Sequence, residues 1–370
     1  MEKDTAGKPL PLALTMGEPA GIGLEITLKA WHHFATSYTP GSHHFFLVDD
    51  PVRVAKALRQ LGSPIRISTI GDPAEADDAF RKTLPVLPLD MEPLPADTAT
   101  VFGKPDTSTA QAVITSIRQA VELALEGKVA GLVTNPIQKK TLIDSGFSFP
   151  GHTEYLGELT KDVALPGQGL VRGPVMLLAG DTLRVAPITV HTPLAKVPEE
   201  LTTQRIADVA IVVAQSLVRD FGVSKPRLAV SGLNPHAGEG GALGLEDDHV
   251  IAPAIAWLRQ HGVDAFGPLP ADTMFHEEAR AQYHAAITMY HDQGLIPVKT
   301  IAFHSASNIT LGLPIIRTSP DHGTGLDIAG RNIARPDSLI ASIRMANLMA
   351  ARRQAYDAAL TSRPDGGGTS

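Results

Sequence analysis

Short apolar runs that end in polar or glycine-bearing turns recur along this chain, with helical patterns between them. That alternation limits its folds more than any other feature. Residues 11–16, Phe45–Val48, 65–70 and 129–133 read as buried strands. Residues 24–34, 51–61 and 107–126 read as helices. In the last of these, Val113, Ile117 and Val121 recur on one face, and Gly127 is a stop. The proline-rich segment 84–95 reads mostly as loop. Residues 174–179 and 183–190 read as a strand pair around Gly180-Asp181, and 199–221 as a long amphipathic helix. Arg227–Ser231 is a further strand, 246–261 is helical, and Ala285–Tyr290 is a strand. Such alternation builds an α/β protein of α/β/α layers, with a mostly parallel mixed sheet. A length of 370 residues suffices for two lobes. The terminal GGGTS reads as a floppy tail.

Composition removes several function classes. The net charge of −7, with no basic stripe, argues against nucleic-acid binding. No cysteine is present, so disulfides, thiolate metal sites and cysteine nucleophiles are excluded. Any metal must be held by His, Asp or Glu. The opening MEKDTAGKPLPLALT has no secretory pattern, and no apolar run is long enough to span a bilayer. A cytoplasmic enzyme, with no membrane partner, is the expectation.

The chemistry-bearing residues sit at the ends of the apolar runs. His191, His236 and His291 each lie at or just past a strand end. If those strands are parallel neighbours, their C-terminal ends share the sheet edge where ligands bind. Three imidazoles there make an open metal site. Lys299, Asn308 and Arg317 follow His291 at near-regular spacing, separated by apolar runs that read as strands, and form an anion clamp. In FPGHTEYLGEL a helix starts at Thr153. That start, beside His152, either faces an anion or is capped by Thr153 next to an incidental His. Asp272, in the Pro270-Ala271-Asp272-Thr273 turn, reads as a substrate contact or as a helix cap ahead of Met274. The glycines of GEPAGIG (17–23) fall as GxxxGxG. That is neither a dinucleotide fingerprint nor a P-loop, so a close-packed turn competes with an anion cradle.

Taken together, GEPAGIG, FPGHTE, SGLNPHAGEGG, GPLPADT, MYHDQG, NITLGLPIIRTSPDHGT and DIAGR closely resemble the segments of the 4-hydroxythreonine-4-phosphate dehydrogenase (PdxA) family, in family order. The resemblance implies oxidation of the C3 hydroxyl of 4-phosphooxy-threonine by NAD or NADP, then loss of CO₂ to give 3-amino-2-oxopropyl phosphate. It implies one divalent metal (Zn, Co or Mg) on His191, His236 and His291, and substrate contacts at His152, Thr153, Lys299, Asn308 and Arg317. It also implies a homodimer with the site at the subunit interface, so that one histidine comes from the second subunit. His152, Lys299 and Asp272 are the catalytic candidates. The segment HGTGLDIAG (322–330) resembles the HGSAPDIAG loop of isopropylmalate and isocitrate dehydrogenases, which meets the nucleotide end of the cofactor. This places His322, Gly323, Thr324 and Asp327 at the cofactor, on a scaffold that is not a Rossmann fold. The implied division is 1–134 with 312–370 as the cofactor lobe. Residues 135–311 form the second lobe, with the metal and substrate residues and the dimer contacts, and a cleft lies between the two.

One segment departs from the family pattern. Where the family commonly has F-x-R-G-V-N, this chain has Phe303-His304-Ser305-Ala306-Ser307-Asn308. An alanine at the glycine position restricts the backbone, which leaves loop shape and substrate choice open. A dehydrogenase of 4-phosphoerythronate, a non-redox metal and phosphate-ester binding protein, and a metallohydrolase using Asp272 or Asp292 are the competing readings.

Overall fold

The computed structural model describes residues 9–39, 42–95, 98, 100–165 and 169–361. The glycine-rich tail and the first eight residues of the N-terminal segment lie outside them. The chain divides into two compact units, Met1–Val163 with Pro314–Asn347, and Ala164–Leu313 with Leu348–Ser370.

The first unit runs β1 (Leu12–Thr15), α1 (Gly23–Thr36), β2 (Phe45–Val48), α2 (Pro51–Gln60), β3 (Ile67–Thr69), α3 (Ala76–Phe80), β4 (Leu84–Leu87), α4 (Ala110–Leu125), β5 (Gly131–Val133), α5 (Lys139–Asp144) and α6 (His152–Leu159). The second runs β6 (Val175–Ala179), β7 (Arg184–Thr189), α7 (Val197–Glu200), α8 (Thr203–Arg219), β8 (Arg227–Ser231), α9 (Ala252–Gln260), β9 (Asp264–Leu269), α10 (Glu277–Arg280), β10 (Ala285–Tyr290), α11 (His291–Ala302) and β11 (Ser307–Leu311). β12 (Arg317–Pro320) returns to the first unit. The last helix, α12 (Asp337–Thr361), is divided between the units after Asn347.

In the first unit the strand order is β3-β4-β2-β1-β5-β12, and all the pairings are parallel. Every residue of β1 (LALT) and β2 (FFLV) is buried, as strands covered on both faces require. Ile26 of α1 and Val113, Ile117 and Val121 of α4 are buried with them. In the second unit the order is β11-β6-β7-β10-β8-β9. Here β6 runs antiparallel to both β11 and β7, while β7, β10, β8 and β9 are parallel, which makes the sheet mixed. Leu178, Val185, Ala229, Ala286, Leu295 and Val298 belong to its core. No single helix among the described residues is long and apolar enough to cross a membrane.

The structure corrects four expectations. Residues 84–87 form the interior strand β4, between β2 and β3, despite Pro85. Proline removes a ladder donor and argues against an interior strand, but total burial of this apolar run overrides that preference. The run after His291 is the helix α11 rather than a strand. Its buried residues Leu295, Val298 and Ala302 recur at helical spacing, and Pro297 is accommodated within it. Strand β9 emerges inside the stretch after His261 that carried no expected element. Finally, the first unit extends to Val163 instead of ending at residue 134. The reason is that α6 packs on α4, and α5 on the 3₁₀ turn before α4. His152 and Thr153 therefore belong with Arg317, not with Lys299 and Asn308.

Candidate active site

In the first unit β5 and β12 are parallel neighbours, and Arg317 at the start of β12 is buried. Its Nε and Nη2 donate to Thr134 Oγ1 at 3.1 and 2.6 Å. Burial pulls the guanidinium down to about 10, against the opposing pull of the Glu154 carboxylate. It is still a cation at neutral pH. His152 opens α6, behind Gly151 as N-cap with no side-chain cap. Thr153 is thus inside the helix and does not cap it. The His152 Nε2 is buried and has no hydrogen-bond partner. Burial, then the charges of Arg317 and Lys139, hold this imidazole well below its ordinary range, so it is neutral at pH 7. Lys139 lies over the helix start, where a Cβ on Gly151 would sit 3.5 Å from its Nζ. An uncapped helix N-terminus, a buried arginine, a lysine and an unsatisfied imidazole together suit a phosphate or carboxylate. Thr134 and Lys139 went unrecognised in the sequence, where one is a strand terminus and the other a lysine beside Lys140.

The GEPAGIG turn settles into packing. Gly17 has φ +68°, and a Cβ there would lie 2.6 Å from the Asn135 Cβ. A Cβ on Gly21 would meet the Thr324 carbonyl at 2.8 Å, and the Ile22 N–H donates to that same carbonyl at 2.9 Å. The amides of Glu18, Ala20, Gly21 and Ile22 all donate within the protein, so none of the four is left to cradle an anion. The turn instead supports the 322–330 loop. Gly103 packs on the Leu326 carbonyl, and Phe102 fills the space beside Gly330. Within that loop the His322 Nδ1 meets the Gly323 carbonyl at 3.0 Å, its Nε2 is buried without a partner, and Asp327 is exposed.

In the second unit β10 lies between β7 and β8, parallel to both. The strand ends carrying His191, His291 and His236 therefore share one edge. The rings of His191 and His291 are 6.4 Å apart between centroids. They line a cavity of 260 Å³ with Leu194, Val197, Tyr290 and Asp292. The His291 Nδ1 meets Asp292 Oδ1 at 2.6 Å. A carboxylate there accepts a hydrogen bond from Nδ1–H, the tautomer that leaves the Nε2 lone pair free for a ligand. This arrangement fits a divalent metal with two imidazole donors. His236 is exposed on the loop after β8, and no group of three His, Asp or Glu side chains among the described residues is close enough to hold a metal within one chain.

The remaining candidates separate. Lys299 is half-buried in the last turn of α11. Asn308 lies on β11 opposite Leu178, with its Oδ1 buried and without a partner. Asp272 is exposed in a turn. The next helix starts at Glu277 behind His276, so Asp272 does not cap it. Ala306 is buried, its N–H donates to the Ala302 carbonyl at 2.9 Å, and its φ is not positive. The backbone here makes no demand for glycine.

The family model for the pyridoxal phosphate biosynthetic protein PdxA matches residues 42–346. The chain belongs to the PdxA family. A 4-hydroxythreonine-4-phosphate dehydrogenase of Caulobacter vibrioides is 51% identical over 343 residues, covering 93% of this chain and 98% of the relative. One from Methylorubrum extorquens is 48% identical, covering 92% and 95%. The crystal structure of the Klebsiella pneumoniae 4-hydroxythreonine-4-phosphate dehydrogenase has a TM-score of 0.80 at 38% identity, covering 92% of this chain and 99% of that one. A PdxA protein is an oxidoreductase. The all-parallel first unit and the mixed second unit are the PdxA version of the α/β architecture.

Proposed function

We propose that this PdxA-family chain oxidises 4-phosphooxy-L-threonine (4-hydroxythreonine 4-phosphate) at C3 with NAD or NADP. The β-keto acid then loses CO₂ to give 3-amino-2-oxopropyl phosphate, a step of pyridoxal 5'-phosphate biosynthesis. The observation that carries this reading is the buried anion seat, with the unsatisfied His152 Nε2 beside the charges of Arg317 and Lys139. A phosphorylated substrate supplies the missing acceptor. The reading rests also on relatives near half identity that bear this activity in their names.

In the first unit Arg317, Lys139, His152 and Thr153 bind and orient the anionic end of the substrate. His152 enters that task neutral and takes up a proton as the anion arrives. The 322–330 loop, through His322, Gly323, Thr324 and Asp327, receives the nucleotide end of the cofactor. In the second unit Lys299 and Asn308 hold polar substrate groups, and Lys299 joins His152 as a candidate proton carrier. Asp272 is the third candidate, as a contact from its exposed turn. When bound, a divalent ion on His191, His236 and His291 supplies Lewis acidity at the C3 oxygen. One of these histidines comes from a second copy of the chain, so the working form is a cytoplasmic homodimer. Orientation of the substrate by the anion seat accounts for several kcal/mol of the barrier.

The test is the appearance of NADH or NADPH absorbance with 4-phosphooxy-threonine, with and without a chelator. Chelator-sensitive reduction is the expected result. Full activity in metal-stripped buffer sinks the metal role. Faster turnover of 4-phosphoerythronate hands the chain to that substrate, and no reduction with either substrate ends the reading.

A further inference from the structure

The loop after β8 is strained where it carries His236. His236, Ala237 and Glu239 have φ of 53°, 53° and 45°, left-handed values at residues that are not glycine. Such backbone persists only where its surroundings over-determine it. Asp247 is completely buried beside this loop. Its Oδ1 accepts the Leu233 N–H at 2.9 Å, and its Oδ2 accepts the N–H and the Nδ2 of Asn234 at 3.2 and 3.0 Å. The fit has no slack, since a Cβ on Gly232 would lie 2.5 Å from Asp247 Oδ1. Asp247 also opens a single π-helical turn, Asp247–Ile251, a distortion that frequently marks functional sites.

A second buried group ties this loop to its neighbour. Gln293 Oε1 accepts the Ser231 hydroxyl and the Met289 N–H, both at 2.7 Å, and its Nε2 donates to the Gly232 carbonyl at 2.7 Å. One amide thus joins the last residue of β8, the first residue of the His236 loop and the strand that ends at His291. A sheet edge needs no carboxylate and no carboxamide to exclude water, and burying them costs energy unless every bond is made. What the two groups hold in place is a pair of accessible histidines.

We propose that Asp247 and Gln293 are positioning residues, which set the backbone carrying His236 and lock it in register with the strand end carrying His291. This rests on the reading of His236 and His291 as metal ligands.

The experiment is a zinc titration of the full-length protein in its native assembly, against a chromophoric chelator. It compares His236→Ala, Asp247→Asn and Gln293→Met. Asparagine keeps the shape of Asp247 but turns an NH₂ toward the loop's own N–H donors. Methionine keeps the volume of Gln293 and removes its bonds. Each positioning variant is expected to weaken zinc binding by about 10- to 100-fold, and turnover should return at raised zinc. His236→Ala should not be rescued in this way. If both variants bind zinc like the parent while His236→Ala has lost it, the positioning role is overturned. If His236→Ala also binds zinc normally, the metal reading falls and this inference falls with it. Should Asp247→Asn not fold, Gln293→Met decides the matter alone.

Discussion

The anion seat of the first unit and the histidine edge of the second solve opposite problems. At the seat, Arg317 and the His152 Nε2 are buried, and the protein bears the desolvation of a cation and of an imidazole nitrogen in advance. At the histidine edge, His236 is exposed, His291 is partly so, and the buried groups are the supports, Asp247 and Gln293. A pre-desolvated seat binds its ligand strongly and responds to pH. An exposed edge leaves its imidazoles in contact with water. The contrast teaches that one unit keeps its candidate groups inside, while the other leaves its histidines outside and buries the polar groups that hydrogen-bond the backbone around them.

The largest expected effect that breaks this contrast is at the edge. His291→Ala removes a donor, and turnover should fall by about 10³-fold or more, with no comparable loss of thermal stability. Steady-state kinetics beside a melting curve check this, and a small loss removes His291 from the site. At the seat, Arg317→Ala should raise KM for the phosphorylated substrate by about 10- to 100-fold, the range for a lost charged hydrogen bond. An unchanged KM places the phosphate elsewhere.

A milder effect concerns protons. The free-state pKa of His152 lies well below the ordinary value of 6.5, and an anion beside it raises that pKa. Binding then takes up a proton, so affinity strengthens as pH falls, by at most about tenfold per pH unit. Below the free-state pKa the gain stops, because the ring is already charged. Sulfate, whose charge is constant over this range, is the probe, in calorimetric titrations between pH 8 and pH 6. The sign is opposite for stability without ligand. The unfolded chain binds this proton and the folded chain resists it, so His152 subtracts stability as pH falls through about 6.5. Sulfate affinity independent of pH would show that His152 does not face the anion. The smallest effect is at the departure from the family pattern. Ala306→Gly should cost about 0.5–1 kcal/mol of stability and leave KM unchanged, since the backbone there is not left-handed. A changed substrate preference would make the segment a specificity element after all.

Strand ends were legible in the sequence because burial writes itself as apolar runs, and the polar groups that follow them, His191, His291 and Arg317 among these, stand out by residue type. β4 was hidden by Pro85, since local preference and tertiary burial disagree there. Helix α11 was hidden because a run such as Leu295-Ile296-Pro297-Val298 satisfies a strand pattern as readily as a helix. The GxxxGxG turn left two readings open, and only the Asn135 side chain and the Thr324 carbonyl against it decided for packing. Asp247, Gln293 and Lys139 were not recognisable. An acid, an amide or a lysine reads the same in sequence whether it faces water or holds a loop.

Residue order alone determined which segments avoid water and which chemistries the chain can attempt: no thiol, no basic face, and imidazole as the available nitrogen ligand. Tertiary structure decided which of those groups meet. It set β10 between β7 and β8, moved His152 into the unit of Arg317, and left His236 outside any three-donor group among the described residues of one chain. The physical reason is that hydrophobic periodicity is a property of neighbours along the chain. Ligation and charge pairing depend on distances of a few ångströms between residues far apart along it, and only packing sets those distances.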